Sequence, residues 1–203
     1  AMPDIHLVDM YMKWLGMDPS ASNNKIPIIS PTLNTSKTIL ELFDKLRYKF
    51  PNRAFVIINW LASTHIKSLP PSIFTHSNQK YPEIVYLVAH PASDQVKTEK
   101  DLEENGLEAI NISPYMKTLY DYFTAIFISD AVICSDTSMY HIASIFKKPS
   151  IVIIGPTYPI LTTYYPQCSY ISASYKGKKC TSPCGRTRES CPEALEFEKP
   201  FSP

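Results

Sequence analysis

The chain has 203 residues, a hydrophobic fraction of 44% and a formal net charge of +1. That is enough for one generous domain, or one and a half small ones, with a full core, and the near-neutral balance offers no basic field to a nucleic acid. No apolar run reaches the roughly 18 residues of a membrane span and no signal-peptide pattern opens the chain, so a soluble, intracellular protein is expected.

Ala1-Met2 reads as a tag remnant before a start Met, which predicts an expressed fragment with another half elsewhere. His6 to Leu15 is amphipathic and ends near Gly16, and the polar, Pro-bearing stretch from Asp18 to Lys25 reads as a linker, so residues 1–25 are set apart from a domain spanning 26–203. Ile26 to Ile29 is expected to be the first strand. After a polar loop, Thr38 to Phe50 should be a helix with Ile39, Leu42, Phe43 and Leu46 on one side. Ala54 to Trp60 follows as a strand, and His65 to Lys80, with two adjacent prolines and little periodicity, reads as a loop or insertion. Glu83 to Ala89 is a strand, Ala92 to Glu104 a charged surface helix, Leu107 to Ile112 a strand and Met116 to Ile128 an aromatic-rich helix. Strands and helices then alternate through Ile154, and a short strand is expected at Ser169 to Ser172. This alternation predicts an α/β fold with a Rossmann-like, doubly wound parallel sheet.

The segment from Ala131 to Thr157 carries the most chemistry. Ala131 to Cys134 and Ser150 to Ile154 are short apolar runs suited to strands buried on both faces. Met139, Ile142, Ala143 and Phe146 recur at helical spacing between them, and Pro149 prevents the helix from continuing. Asp136, Thr137 and Ser138 stand where the first strand hands over to the helix, so their side chains can cap free N–H groups and the helix dipole can favour an anion. His141 follows one turn later. The bland reading is an ordinary cap with a surface histidine.

With five glycines in the whole chain, at 16, 106, 155, 177 and 185, neither Gly-x-Gly-x-x-Gly nor a Walker loop can be written. A bound phosphate would depend on hydroxyls, a helix N-terminus and a lysine. The absence of His-Glu-x-x-His and Gly-x-Ser-x-Gly argues against metalloprotease and esterase chemistry. Cys168, Cys180, Cys184 and Cys191 could be reduced structural thiols, a four-cysteine zinc or iron site, or a disulfide; the spacing does not choose. Cys134 reads as packing. Trp14 and Trp60 read as core or interface, and Tyr158, Tyr164 and Tyr165 as a base-stacking or interdomain surface.

The run Asp136-Thr137-Ser138-Met139-Tyr140-His141-Ile142-Ala143, followed by Lys148-Pro149 and Gly155-Pro156-Thr157, resembles the Asp-[Ser/Thr]-Gly-x-x-His-x-Ala, Pro, Gly-Pro-Thr signature of glycosyltransferase family 9, the ADP-heptose:lipopolysaccharide heptosyltransferases and their relatives. Ser138 stands where the family usually has Gly. The resemblance implies the C-terminal, donor-binding half of a GT-B enzyme that transfers a sugar, expected to be heptose from ADP-heptose, to a saccharide such as lipopolysaccharide core or to a protein, with inversion and without a required metal. UDP- or GDP-sugars remain alternatives. So does a non-catalytic α/β module with a cysteine metal site and a protein-binding aromatic tail.

By the same resemblance Asp136, Thr137, Ser138 and His141 would contact the donor, and Lys37, with Thr35 and Ser36, falls where the family places a lysine on the diphosphate. The family's Lys-x-Trp-Pro run reads Lys37-Thr38-Ile39-Leu40 there. Asp94 is the candidate for the acidic residue on the ribose. The catalytic base is expected in a missing N-terminal domain, leaving this fragment inactive alone, and the implied setting is a bacterial cytoplasm, at or near the inner membrane.

Overall fold

In the computed structural model of the protein the described residues are 7–21, 35–75, 80–163, 165–172, 175–176 and 181–185. The strand expected at Ile26 to Ile29 lies outside them. Helix α1 (Leu7–Trp14) leads into a single 3-10 turn, Pro19–Ala21. Helix α2 (Lys37–Lys49) starts where the Ser36 side chain accepts the Ile39 N–H, and it closes with Arg47 and Lys49 in the last turn, complementing its dipole. Its buried face is Ile39, Phe43 and Leu46, as the periodicity predicts.

Six strands form one parallel sheet: β1 (Ala54–Asn59), β2 (Ile84–Val88), β3 (Ile110–Asn111), β4 (Ala131–Ser135), β5 (Ser150–Ile154) and β6 (Cys168–Ser172). Their spatial order is β3-β2-β1-β4-β5-β6, with Ala54 opposite Ile84 on one side of β1 and Val56 opposite Ala131 on the other. Helices α3 (Gln95–Glu104), α4 (Leu119–Ile128), α5 (Ser138–Ile145) and α6 (Pro159–Thr162) connect them, and a two-stranded ribbon, β7 (Tyr175–Lys176) with β8 (Thr181–Ser182), follows.

Because successive strand residues point to opposite faces, β1 divides its side chains between two cores. Phe55 and Ile57 join Ile39, Phe43, Ile126, Val132, Tyr140 and Val152 on one face. Val56 and Ile58 join Trp60, Phe74, Tyr86, Val88 and Leu107 on the other. The expected α/β doubly wound architecture is therefore the one found.

Three local expectations change. The stretch read as a loop or insertion contains two 3-10 turns, His65–Lys67 and Pro71–Phe74, and Phe74 is buried against Trp60 with ring centroids 6.0 Å apart. The strand expected from Leu107 shrinks to Ile110–Asn111, because Gly106 turns the chain at φ +58 and Leu107 packs inward. Tyr165, read as part of an exposed aromatic surface, is buried. No helix among the described residues is long and apolar enough to cross a membrane.

Candidate functional site

The strand order reverses between β1 and β4, whose following chains leave toward opposite faces of the sheet. In an open parallel sheet this leaves a crevice beyond the carboxyl ends of the strands. A cavity of about 1010 Å³ lies there, lined by residues that follow β1, β2 and β4 together with Met116 to Tyr122 and the segment from Thr157 to Thr162.

The elbow after β4 forms one wall. Thr137 is the N-cap of α5 and accepts the Met139 N–H. Asp136 does not share in that capping: its Oδ2 accepts from Thr157 Oγ1 at 2.6 Å and lies 2.8 Å from Lys67 Nζ, while Oδ1 accepts from the Tyr140 hydroxyl at 3.2 Å. The carboxylate is engaged by one ammonium group and two hydroxyl donors rather than by the helix terminus. Burial alone would raise its pKa, but Lys67, Thr157 and Tyr140 together hold it below the ordinary carboxylate value. Ser138 is exposed to the cavity. His141 is half-buried on the same wall, with Nδ1 2.7 Å from the Tyr165 hydroxyl.

Lys67 arrives from the chain after β1. Leu69 N–H returns to the Trp60 carbonyl, and the Ser68 hydroxyl accepts from Ala62 N–H, so the segment folds back on itself and delivers Lys67 into the cavity. The loop passes close to Gly155, where a Cβ would meet the Ile66 carbonyl oxygen at 3.4 Å, the near edge of ordinary van der Waals contact. Sequence reasoning missed Lys67. A signal was present: Lys67-Ser68-Leu69-Pro70 follows a strand and keeps the Lys-x-Trp-Pro spacing with Leu in place of Trp.

The opposite wall comes from β2. Asp94 lines the cavity at the start of α3, and Tyr122 faces the same space. Burial first, then the nearby Asp94 and Asp121 carboxylates, pushes the Tyr122 hydroxyl up to about 12. Thr118 and Leu119 are placed by a capping box in which Asp121 accepts from the Thr118 N–H and hydroxyl.

The structure thus brings Asp94, Asp136, Thr137, Ser138 and His141 around one cavity. It does not bring Lys37, Thr35 or Ser36 there: Lys37 and Thr35 are exposed, and Ser36 serves as the α2 cap while its N–H donates to Thr124 Oγ1. The lysines that line the cavity are Lys67 and Lys117. Cys180 and Cys191 lie outside the described residues. Cys168 and Cys184 are free thiols, and among the described residues no group of three or more His, Cys, Asp or Glu side chains could hold a metal. Cys134 is fully buried in β4, and burial pushes its thiol up to about 12, consistent with packing.

No curated protein matches the sequence. Among solved structures, a family 9 glycosyltransferase from Veillonella parvula superposes with a TM-score of 0.65 at 14% identity, over 85% of this chain and 50% of that one. E. coli ADP-heptose LPS heptosyltransferase II gives 0.55 at 16% identity, over 71% and 46%. E. coli heptosyltransferase WaaC with ADP gives 0.52 at 14%, over 81% and 48%. At these identities the likeness is one of fold, and the chain spans about half the length of these proteins. The family model for glycosyltransferase family 9 (heptosyltransferase) matches residues 29–189, most of the sequence, and the chain belongs to that family.

Proposed function

We propose that this chain forms the donor-binding half of an inverting GT-B glycosyltransferase, with ADP-heptose as the donor and a saccharide, such as lipopolysaccharide core, as the acceptor. One observation carries the reading: Lys67 and the N-terminus of α5 converge inside a cavity at the switch point of the sheet. A diphosphate placed between them meets an ammonium group and the positive end of the α5 dipole. Family membership supports a nucleotide-sugar donor.

In transfer, the bond between the anomeric carbon and the diphosphate oxygen breaks and the electron pair stays on that oxygen. Lys67 and the α5 dipole offset the charge that grows there. Asp94 accepts from the ribose hydroxyls, and Met116, Leu119 and Tyr122 offer apolar surface to the base. The acceptor hydroxyl attacks from the opposite face and must lose its proton to a base. Asp136 is a poor base, because its carboxylate is held by three partners that favour its ionised, hydrogen-bonded form. On this reading the chain alone binds donor and turns over nothing.

Thermal-shift measurements with ADP, UDP and GDP test the proposal, since a ligand that binds the folded state raises its melting temperature. ADP should stabilise the protein, Lys67→Ala should remove that effect and Lys37→Ala should leave it. Stabilisation by UDP or GDP instead would replace the donor. No response to any of the three would end the nucleotide reading.

A further inference from the structure

The wall formed by β1 and β2 is held by a buried imidazole. His90 is fully buried and packs edge-on against Trp60, with ring centroids 4.4 Å apart. Its Nε2 lies 3.2 Å from the Trp60 backbone N–H and accepts from it, which places the ring proton on Nδ1. Nδ1 then donates to Thr98 Oγ1 at 2.8 Å, and the Thr98 hydroxyl donates to the Asp94 carbonyl at 2.8 Å. These bonds run in one direction, from the end of β1 to the start of α3.

The flanking residues extend the brace. Asn59, just before Trp60, donates its Nδ2 to the Ala89 carbonyl at 3.0 Å, and its Oδ1 is buried without a hydrogen-bond partner. The Asp94 N–H donates to the Pro91 carbonyl. Asn59 and Asp94 both line the cavity; His90 and Thr98 do not. A histidine that merely filled the core would need two partners. It would not need partners leading to two separate lips of one cavity.

We propose that His90 is a positioning residue: bonded to Trp60 on one side and to Thr98 on the other, it fixes the spacing between Asn59 and Asp94 and hence the fit of the nucleoside end of the ligand. The inference rests on the nucleotide reading of this cavity. It concerns the end away from the phosphates, because Asp94 follows β2 while Asp136 follows β4, two strand spacings or roughly 10 Å across the sheet. Burial keeps the imidazole neutral, with a pKa lowered to about 3, so the bond directions persist at ordinary pH.

Calorimetric titration of the full chain with ADP and with inorganic pyrophosphate separates the two ends. Thr98→Val keeps shape and removes the bonds to His90 and to the Asp94 carbonyl; His90→Leu removes those to Trp60 and to Thr98. Each should weaken ADP roughly tenfold, the worth of one well-placed hydrogen bond, while pyrophosphate stays within about twofold of wild type. His90→Gln offers an acceptor to Trp60 and a donor to Thr98 from a single amide, and it should recover most of the ADP affinity. Equal losses for both ligands, or unchanged ADP affinity in Thr98→Val, would reduce His90 to a core residue and overturn the inference. Wild-type protein that binds neither ligand would overturn the nucleotide reading itself, and this inference with it.

Discussion

Across the cavity, Asp136 is held by a lysine ammonium and two hydroxyls, whereas His90 is hydrogen-bonded to an amide N–H and a hydroxyl. The elbow wall is an ion pair with its acid 7% and its base 17% exposed, and the β2 wall is a neutral, directional relay. An ion pair at a cavity surface can exchange one partner for an incoming anion. A neutral relay can only keep its shape. On the proposed nucleotide reading, charge recognition and shape recognition are carried by different groups, and each can be broken without the other.

The largest effect should come from the charged wall. Lys67→Ala leaves Asp136 buried with no opposite charge, and breaking such a pair costs about 3 kcal/mol, read as a lower urea midpoint. A midpoint equal to wild type would mean that the pair contributes nothing and that Thr157 and Tyr140 suffice.

Acid should find the neutral wall first. The His90 pKa falls from the ordinary 6.5 to about 3, chiefly through burial, with Asp101 favouring and Lys97 opposing its charged form. Below about pH 6.5 the unfolded chain takes up a proton that the folded chain refuses, so stability falls as pH drops, by about 1.4 kcal/mol per pH unit and about 2 kcal/mol by pH 5. Asp136, with a lowered pKa, contributes its stabilisation above the ordinary 3.8 and loses it only below that value. Denaturation at stepped pH should show two windows, and His90→Gln should flatten the upper one alone.

Smaller effects locate the boundaries of each wall. Thr137→Ala removes the α5 cap at a cost of about 1 kcal/mol, with no change in the pH profile. Lys37→Ala, on an exposed side chain outside the cavity, should stay within about 0.5 kcal/mol in stability. A marked loss of ADP response in that variant would return Lys37 to the site.

The charged wall was half legible and the neutral wall hardly at all. Ala131 to Ser135 and the elbow stand out because a doubly covered parallel strand is continuously apolar and its polar exit is abrupt. Asp94 was legible as an acid following a strand. Lys67 was hidden because its loop has no periodicity, and because Lys37 also follows an apolar run and precedes a helix; choosing between them requires the β1–β4 pairing, a contact between distant segments. His90 was silent for a different reason. Its partners, Trp60 and Thr98, belong to separate elements and read individually as core and as helix surface. Sheet order brings them together, and no local pattern encodes it.

Trp60 also gives this wall an optical consequence. Trp60 is fully buried with its indole N–H on Asp101, whereas Trp14 is 82% exposed. Excitation near the indole band therefore samples two populations, one quenched by dissolved iodide and one shielded from it. An imidazolium in van der Waals contact with an indole quenches its emission, and a neutral imidazole does so far less. In a Trp14→Phe background, the remaining fluorescence becomes a built-in reporter of the protonation and spacing of the His90 wall, readable during a titration without any label.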